Sequence, residues 1–352
     1  MSFTSIDNSL IKCILEDTAR NVRDLLIGNK VQVYLERISS LRFLREHVGV
    51  SKPLVIRSEG FVNSWKALES WKDDEYLLSK LDGVPVTVAL TPQGLADCPL
   101  NDGDGRDVFA LPLYQKMDFK QFLDILTANG GNHGPVVAYL QQQNNSLVTE
   151  LSTLLEDVSG TIPWAEEAFG HAPDAVNFWM GKYPTATSWH RDHYENLYVV
   201  VRGKKIVRLL PPTDSFRMQI KRYPQAEYIL TDSSNISKLK LQEISGSEIL
   251  WSSIKPCACL EDRLLGDVHC ASCASCKALK RHEDMFPLEV EVSSGDMLYI
   301  PSCWYHEIHH SSTEEPTIAI NYWFDMIHDS KYAAMTAIDT LAEKIYLNDS
   351  MQ

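Results

Sequence analysis

The amino-acid sequence predicts a mainly β protein with flanking helices. Three observations carry this. From about residue 135 the chain is a series of short apolar runs separated by Gly, Pro, Asn, Asp or Ser, the pattern of an all-β sandwich or barrel. Helical periodicity is concentrated before residue 127 and after residue 329. No linker is long or polar enough to force two independent domains, and no internal repeat is present. The expected organisation is a helical and β region over 1–134 packed on a β core over 135–326, with a Cys-rich insert at 255–280 and a closing helix over 327–352.

Residues 9–27 place Ile11, Ile14, Leu15, Val22, Leu25 and Leu26 on one helical stripe, with Gly28 as a stop. A second helix is expected at 40–48. Pro53-Leu54-Val55-Ile56-Arg57 reads as a short strand, and Trp65 and Trp71 flank a stretch that packs. Residues 84–91 read as a strand, 97–107 as an acidic surface loop, and Phe119–Leu126 as a helix. The core strands are expected at 136–140, 175–180, 196–201, 205–210, 289–292, 297–300 and 317–323. Val201-Arg202-Gly203-Lys204 looks like a hairpin turn. The tail, 329–347, sets Met335, Ile338, Leu341, Ala342 and Ile345 along one helix face.

The chain has 352 residues, 47 acidic and 33 basic, for a formal net charge of −14. That balance argues against a mainly electrostatic grip on nucleic acid and suits a basic partner better. No apolar run approaches the roughly 20 residues needed to span a bilayer. The first 30 residues lack a signal-peptide pattern, so the eight cysteines are expected as reduced thiols or metal ligands. The cytosol, with some nuclear access, is the default location.

The sharpest chemical feature is His190-Arg191-Asp192. In a strand, side chains at i and i+2 share a face, so His190 and Asp192 can aim an imidazole and a carboxylate at one point while Arg191 turns away. The best third ligand is His306, just after a β run. Two histidines and one carboxylate leave metal positions open, the set that favours non-haem Fe(II) in oxygen-using enzymes. His193 is a rival, but it faces the opposite side of a regular strand. His309 and His310 are rivals to His306, expected as exposed residues at the start of a Ser/Thr/Glu loop.

Several segments together resemble the JmjC oxygenases. They are Asn177-Phe178-Trp179-Met180-Gly181, the run Thr187 to Tyr198, Gly203-Lys204-Lys205, Pro211-Pro212, the run Gly295 to Pro301, Trp304-Tyr305-His306 and the run Asn321 to Met326. Upstream, Lys52 to Arg57, Thr91 to Asp97 and Phe109 to Pro112 extend the likeness to the small lysyl-hydroxylase branch, so that it covers roughly 40–335. The resemblance implies a double-stranded β-helix, a jelly roll of about eight strands. It implies that His190, Asp192 and His306 hold Fe(II). Lys205, fifteen residues after His190, matches the lysine that binds the distal carboxylate of 2-oxoglutarate, with Thr187 and Tyr139 as hydroxyl partners. A buried carboxylate wants such a cation and donors. Asn196 and Asn321 match polar residues lining the iron pocket, and Trp323 an aromatic wall beside it.

The implied reaction is oxidative decarboxylation of 2-oxoglutarate to succinate and CO₂, coupled to hydroxylation of an unactivated C–H bond. The implied target is C-3 of a lysine in a developmentally regulated GTP-binding protein. The alternatives are an Nε-methyl-lysine demethylase or a catalytically silent binding module. A peptidase activity attributed to this branch has no basis in motif: there is no H-E-x-x-H and no recognisable nucleophile motif. Related hydroxylases dimerise through the C-terminal region, which makes a homodimer the expected assembly.

One stretch departs from the family pattern. Residues 257–276 hold Cys257, Cys259, Cys270, Cys273 and Cys276, with His269 adjacent. Four thiolates on a short loop could close a tetrahedral zinc site, although C-x-C is tighter than the usual half-site. A flexible loop with free thiols and a redox sensor are the other readings.

Overall fold

The computed structural model describes residues 8–57, 65–127, 136–233, 235–256, 279, 287–310 and 315–349. The cysteines from 257 to 276, and with them the zinc, free-thiol and sensor readings, lie outside the described residues.

Eight antiparallel strands form two facing layers. Ala175–Gly181, Tyr194–Arg202, Met297–Ile300 and Thr317–Asp325 belong to a six-stranded sheet. Ala186–His190, Lys204–Leu210, Leu288–Ser293 and Tyr305–His310 belong to a five-stranded one. Followed along the chain, the strands alternate between the two sheets, except that Lys204–Leu210 and Leu288–Ser293 pair with each other. That winding is the double-stranded β-helix.

Burial on both faces explains why these strands read as continuous apolar runs. In Tyr194–Arg202, Leu197, Val199 and Val201 point into one cluster with Phe43, Trp71, Phe119 and Trp164 from the flanking helices. The alternate residues Tyr198 and Val200 point between the sheets, toward Val207, Leu209 and Ile308. Phe43 packs edge-on to Trp164 and Tyr299, each at 4.9 Å between ring centres. Truncating such a residue to alanine costs about 3–5 kcal/mol. The N-terminal region does more than pack: Gln32–Tyr34 and Leu54–Ile56 extend the six-stranded sheet beside Met297–Ile300. Trp71 is fully buried and lies 5.6 Å from Phe178.

Three expectations are corrected, and a fourth finding adds an element that no expectation covered. The first helix, Asn8–Val22, continues as a wider π turn over Arg23–Ile27 and ends at Gly28. Its buried face is Ile11, Leu15, Ala19, Arg23 and Ile27, whereas Ile14, Leu25 and Leu26 are exposed. An α-helix drifts by about 40° for every four residues, and the wider turn offsets that drift. Arg23 can face inward because its Nη2 lies 3.0 Å from Asp214 Oδ2. Second, the 97–107 loop is shorter than expected: Cys98–Asn101 and Asp107–Leu111 form a hairpin with Cys98 buried.

Third, residues 201–204 turn the chain from one sheet into the other and do not close a hairpin. Gly203 has φ +72°, and a Cβ there would meet Thr317 Oγ1 at 2.8 Å. Fourth, Ile220–Leu230 and Leu239–Ser252 form a long antiparallel pair that pattern reading passed over. Pro224 sits in its first strand beside a register shift, and exposed Lys, Arg and Glu hide the alternation.

The closing helix, Ser330–Asp349, sets Ile338, Leu341, Ala342 and Ile345 against Ile11, Leu15, Ala19 and Phe216. Among the described residues, no helix is long and apolar enough to cross a membrane.

Candidate metal and dicarboxylate site

His190, Asp192 and His306 converge: one ligand atom from each lies within 4.8 Å of the others. Asp192 Oδ2 is 3.8 Å from His190 Nε2 and 3.6 Å from His306 Nε2. The register explains the meeting of the imidazoles, because His190 sits opposite His306 across the paired strands. The route to Asp192 differs from the i, i+2 expectation. The strand Ala186–His190 ends at the histidine, and Asp192 lies just beyond it. Cys303 donates its backbone N–H to Asp192 O at 2.8 Å and fixes that turn.

Both imidazoles are oriented by the backbone. His190 Nδ1 is 2.8 Å from Ser188 O, and His306 Nδ1 is 3.0 Å from Trp304 O. A carbonyl only accepts, so each Nδ1 carries the proton and each Nε2 presents a lone pair inward. Burial, and then the neighbouring His190, push the His306 pKa down to about 4, which keeps it in the neutral form that binds metal. This donor set fits a divalent iron with open positions. Arg191 turns outward, to Asp339 Oδ2 at 2.8 Å and over the Tyr305 ring. His193 also leaves the cluster and stands 6.0 Å from the Tyr332 ring.

The cavity above the three residues is lined by Tyr139, Thr187, Asn196, Asn321 and Trp323, the residues that the resemblance implies. Gln143, Trp179, Tyr198 and Ile308 complete it and are not among those. Trp179 Nε1 donates to Asn321 Oδ1 at 2.8 Å, and Asn321 Nδ2 donates to Asn196 Oδ1 at 3.2 Å, so the two amides are held in one orientation. Tyr198 Oη and Trp323 Nε1 are buried and have no hydrogen-bond partner among the described residues. Polar atoms left in that state at a cavity wall are suited to a ligand. Tyr194 stacks on Trp323 at 4.9 Å, with ring planes 3° apart. Trp251, from the long hairpin, stacks over His190 and donates Nε1 to Ser188 Oγ at 3.0 Å. Asp97, whose backbone carbonyl accepts from Ser188 Oγ, has its carboxyl pushed up to about 6 by burial, with His190 opposing the shift.

Lys205 is completely buried. Its Nζ lies 3.4 Å from Tyr139 Oη and 2.6 Å from His310 Nε2, and no carboxylate pairs with it among the described residues. Burial drives its pKa well below the ordinary lysine value. A buried cation beside a tyrosine hydroxyl, with no counter-ion among the described residues, fits a dicarboxylate end. Two expectations fail here. His309 and His310 are buried members of the strand Tyr305–His310 and do not open a loop. The strand runs to residue 310 because Lys204–Leu210 pairs with it throughout. The period-2 series His306, Ile308, His310 was the available signal.

A cupin-like domain family matches residues 40–330. Lysine-specific demethylase JMJ32 of Arabidopsis thaliana is 38% identical over 94% of this chain and 92% of its own. JmjC domain-containing protein E of Dictyostelium discoideum is 35% identical over 91% of this chain and 90% of its own. The human bifunctional peptidase and (3S)-lysyl hydroxylase JMJD7 is 32% identical over 95% of this chain and 96% of its own.

Proposed function

We propose, from the premise that the chain belongs to the cupin-like JmjC family of 2-oxoglutarate-dependent dioxygenases, that it hydroxylates a lysine side chain of a protein partner. The observation that carries the oxygenase chemistry is the convergence of His190, Asp192 and His306 at a cavity backed by a buried lysine that has no counter-ion among the described residues. In this reading those three residues hold the iron. Lys205, Tyr139 and Thr187 receive the distal carboxylate of 2-oxoglutarate. Asn196 and Asn321 present fixed amides to the cavity, and Trp323 with Tyr194 walls it. Bound there, iron and 2-oxoglutarate supply oxygen activation: the oxo acid leaves as succinate and CO₂, and one oxygen atom enters a C–H bond of the target.

Hydroxylation at lysine C-3 is supported by the (3S)-lysyl hydroxylase name of the human relative. A net charge of −14 suits a lysine-bearing partner, for which a developmentally regulated GTP-binding protein is the candidate. The same reading has the enzyme meet that partner in the cytosol, with access to the nucleus, and as a homodimer. The demethylase name of the Arabidopsis relative supports a second reading, removal of an Nε-methyl group. The two differ in product. The test incubates the protein with Fe(II), 2-oxoglutarate, air and the GTP-binding protein, and reads peptide masses. One added oxygen on a lysine, absent without 2-oxoglutarate, supports the hydroxylase. Formaldehyde release from a methylated lysine peptide, with no hydroxylation, replaces it by the demethylase. Absence of 2-oxoglutarate-dependent succinate with either target would sink both.

A further inference from the structure

We infer that His310 is a positioning residue for the co-substrate: it holds the Lys205 ammonium where the distal carboxylate of 2-oxoglutarate is received. The inference rests on the dioxygenase reading and adds a residue to it. A lysine ammonium is a point charge on a flexible stem with three rotatable donors. It keeps one orientation only if an acceptor fixes it. His310 Nε2, at 2.6 Å, is that acceptor, while Tyr139 Oη stands farther off at 3.4 Å. Because the ammonium donates, Nε2 carries the lone pair and the imidazole is neutral.

The corner that receives Nζ is built from three elements. The rings of Tyr139 and His310 meet edge to face, 5.1 Å apart at 80°, and Nζ lies 5.2 Å from the Tyr139 ring centre. Gly181 lets them close: a Cβ there would stand 2.6 Å from Tyr139 Cδ2 and 2.9 Å from His310 Cε1. Strand alternation puts His310 on the same face as His306. One strand therefore supplies both the metal end and the anchor end of the cavity.

Among the described residues, the groups facing His310 contain no acid. Lys205 comes from Lys204–Leu210, Tyr139 from Val137–Tyr139, and Gly181 contributes backbone alone. Thr187 offers a hydroxyl to Tyr139. His309, on the same strand, turns away to Glu307 Oε1 at 2.5 Å. Among the described residues, His310 is thus the imidazole in position to support the charged form of Lys205. Without it, the lysine discharges at lower pH and the dicarboxylate loses its cation.

The test is calorimetry of 2-oxoglutarate binding to the full-length protein loaded with Mn(II), from neutral to alkaline pH. Two variants are compared with wild type, and circular dichroism checks their folding. His310→Leu is expected to weaken binding about tenfold, one charge-assisted hydrogen bond, and to move the alkaline loss of affinity to lower pH. His310→Gln, whose amide oxygen can accept from Nζ, is expected to recover most of the affinity, and it carries the test if the leucine variant does not fold. Unchanged affinity and pH profile in His310→Leu would overturn the role. So would equal weakening in both variants without a pH shift, since that is a packing effect. A wild-type protein that binds Mn(II) but no 2-oxoglutarate would overturn the dioxygenase reading and this inference with it, a result separable from the other two.

Discussion

The two faces of the strand Tyr305–His310 bury similar residue types in different company. The outer face carries Tyr305, Glu307 and His309. Its charges close on one another: Arg208 Nη1 lies 3.0 Å from Glu307 Oε2, His309 holds the other oxygen, and the guanidinium lies over the Trp189 ring. The inner face carries His306, Ile308 and His310, with Lys205 behind. Here the imidazoles are fixed by carbonyls or by the lysine, and the lysine has no acid partner among the described residues. Buried charge that is neutralised within the chain serves the fold. Buried charge left without a counter-ion is suited to a ligand, and the fold carries its cost.

Asp192→Ala tests the inner face hardest. It removes the single carboxylate of the three-residue cluster and is expected to abolish 2-oxoglutarate-dependent succinate formation. Asp192 is partly exposed, so unfolding in denaturant should move by no more than about 1 kcal/mol. Succinate formation at the wild-type rate would remove the assignment of the metal ligands.

Glu307→Ala tests the outer face. It leaves the Arg208 guanidinium buried without its main partner and should cost about 3–5 kcal/mol of stability. Calorimetry on the protein that remains folded should show 2-oxoglutarate binding as before. A stability loss under about 1 kcal/mol would place this network with ordinary surface pairs.

Lys205→Met should act with the opposite sign on stability. Burial depresses the lysine's pKa in the folded state. Such a group costs stability below its unfolded pKa, and the cost disappears as pH rises past that value, about 10.4. At neutral pH the methionine variant should therefore be more stable than wild type, by about 1 kcal/mol or more, with the gap closing at alkaline pH. Its requirement for 2-oxoglutarate should rise about 30-fold, the loss of roughly 2 kcal/mol of charge-assisted bonding. Equal stability across pH would mean that the lysine is not desolvated. An unchanged requirement would put the co-substrate anchor elsewhere.

The two faces also differ in how far the sequence announced them. The core strands were legible because Gly, Pro, Asn and Asp punctuate apolar runs, and the sheets bury both sides of those runs. His306 was legible because it follows such a run. His310 was not, because Ser311, Ser312 and Thr313 follow it and suggest a loop. Pairing with Lys204–Leu210, a long-range event, is what keeps residues 309 and 310 in the sheet. Asp192 was placed by strand alternation, yet the chain brings it in by a turn beyond the strand end. The outer network was silent for the same long-range reason: Arg208 and Glu307 are 99 residues apart.

Gly181→Ala is the mildest probe and the one that isolates the corner itself. Alanine in a strand is favoured over glycine by about 0.5–1 kcal/mol, so the backbone gains slightly. The added methyl meets the Tyr139 and His310 rings closer than carbon atoms approach, and displacing them costs about 1–3 kcal/mol. The net loss of stability should be small. The displaced rings, however, are the two neighbours of the Lys205 ammonium, so the 2-oxoglutarate requirement should rise about fivefold, roughly 1 kcal/mol. Metal affinity should stay put, because His306 is held by Trp304 O and not by either ring. Titrating 2-oxoglutarate and Mn(II) separately distinguishes the ends of the cavity. Equal weakening of both would mean that the methyl shifts the whole strand. Weakening of 2-oxoglutarate alone would mean that the inner face works as two sites on one rigid element.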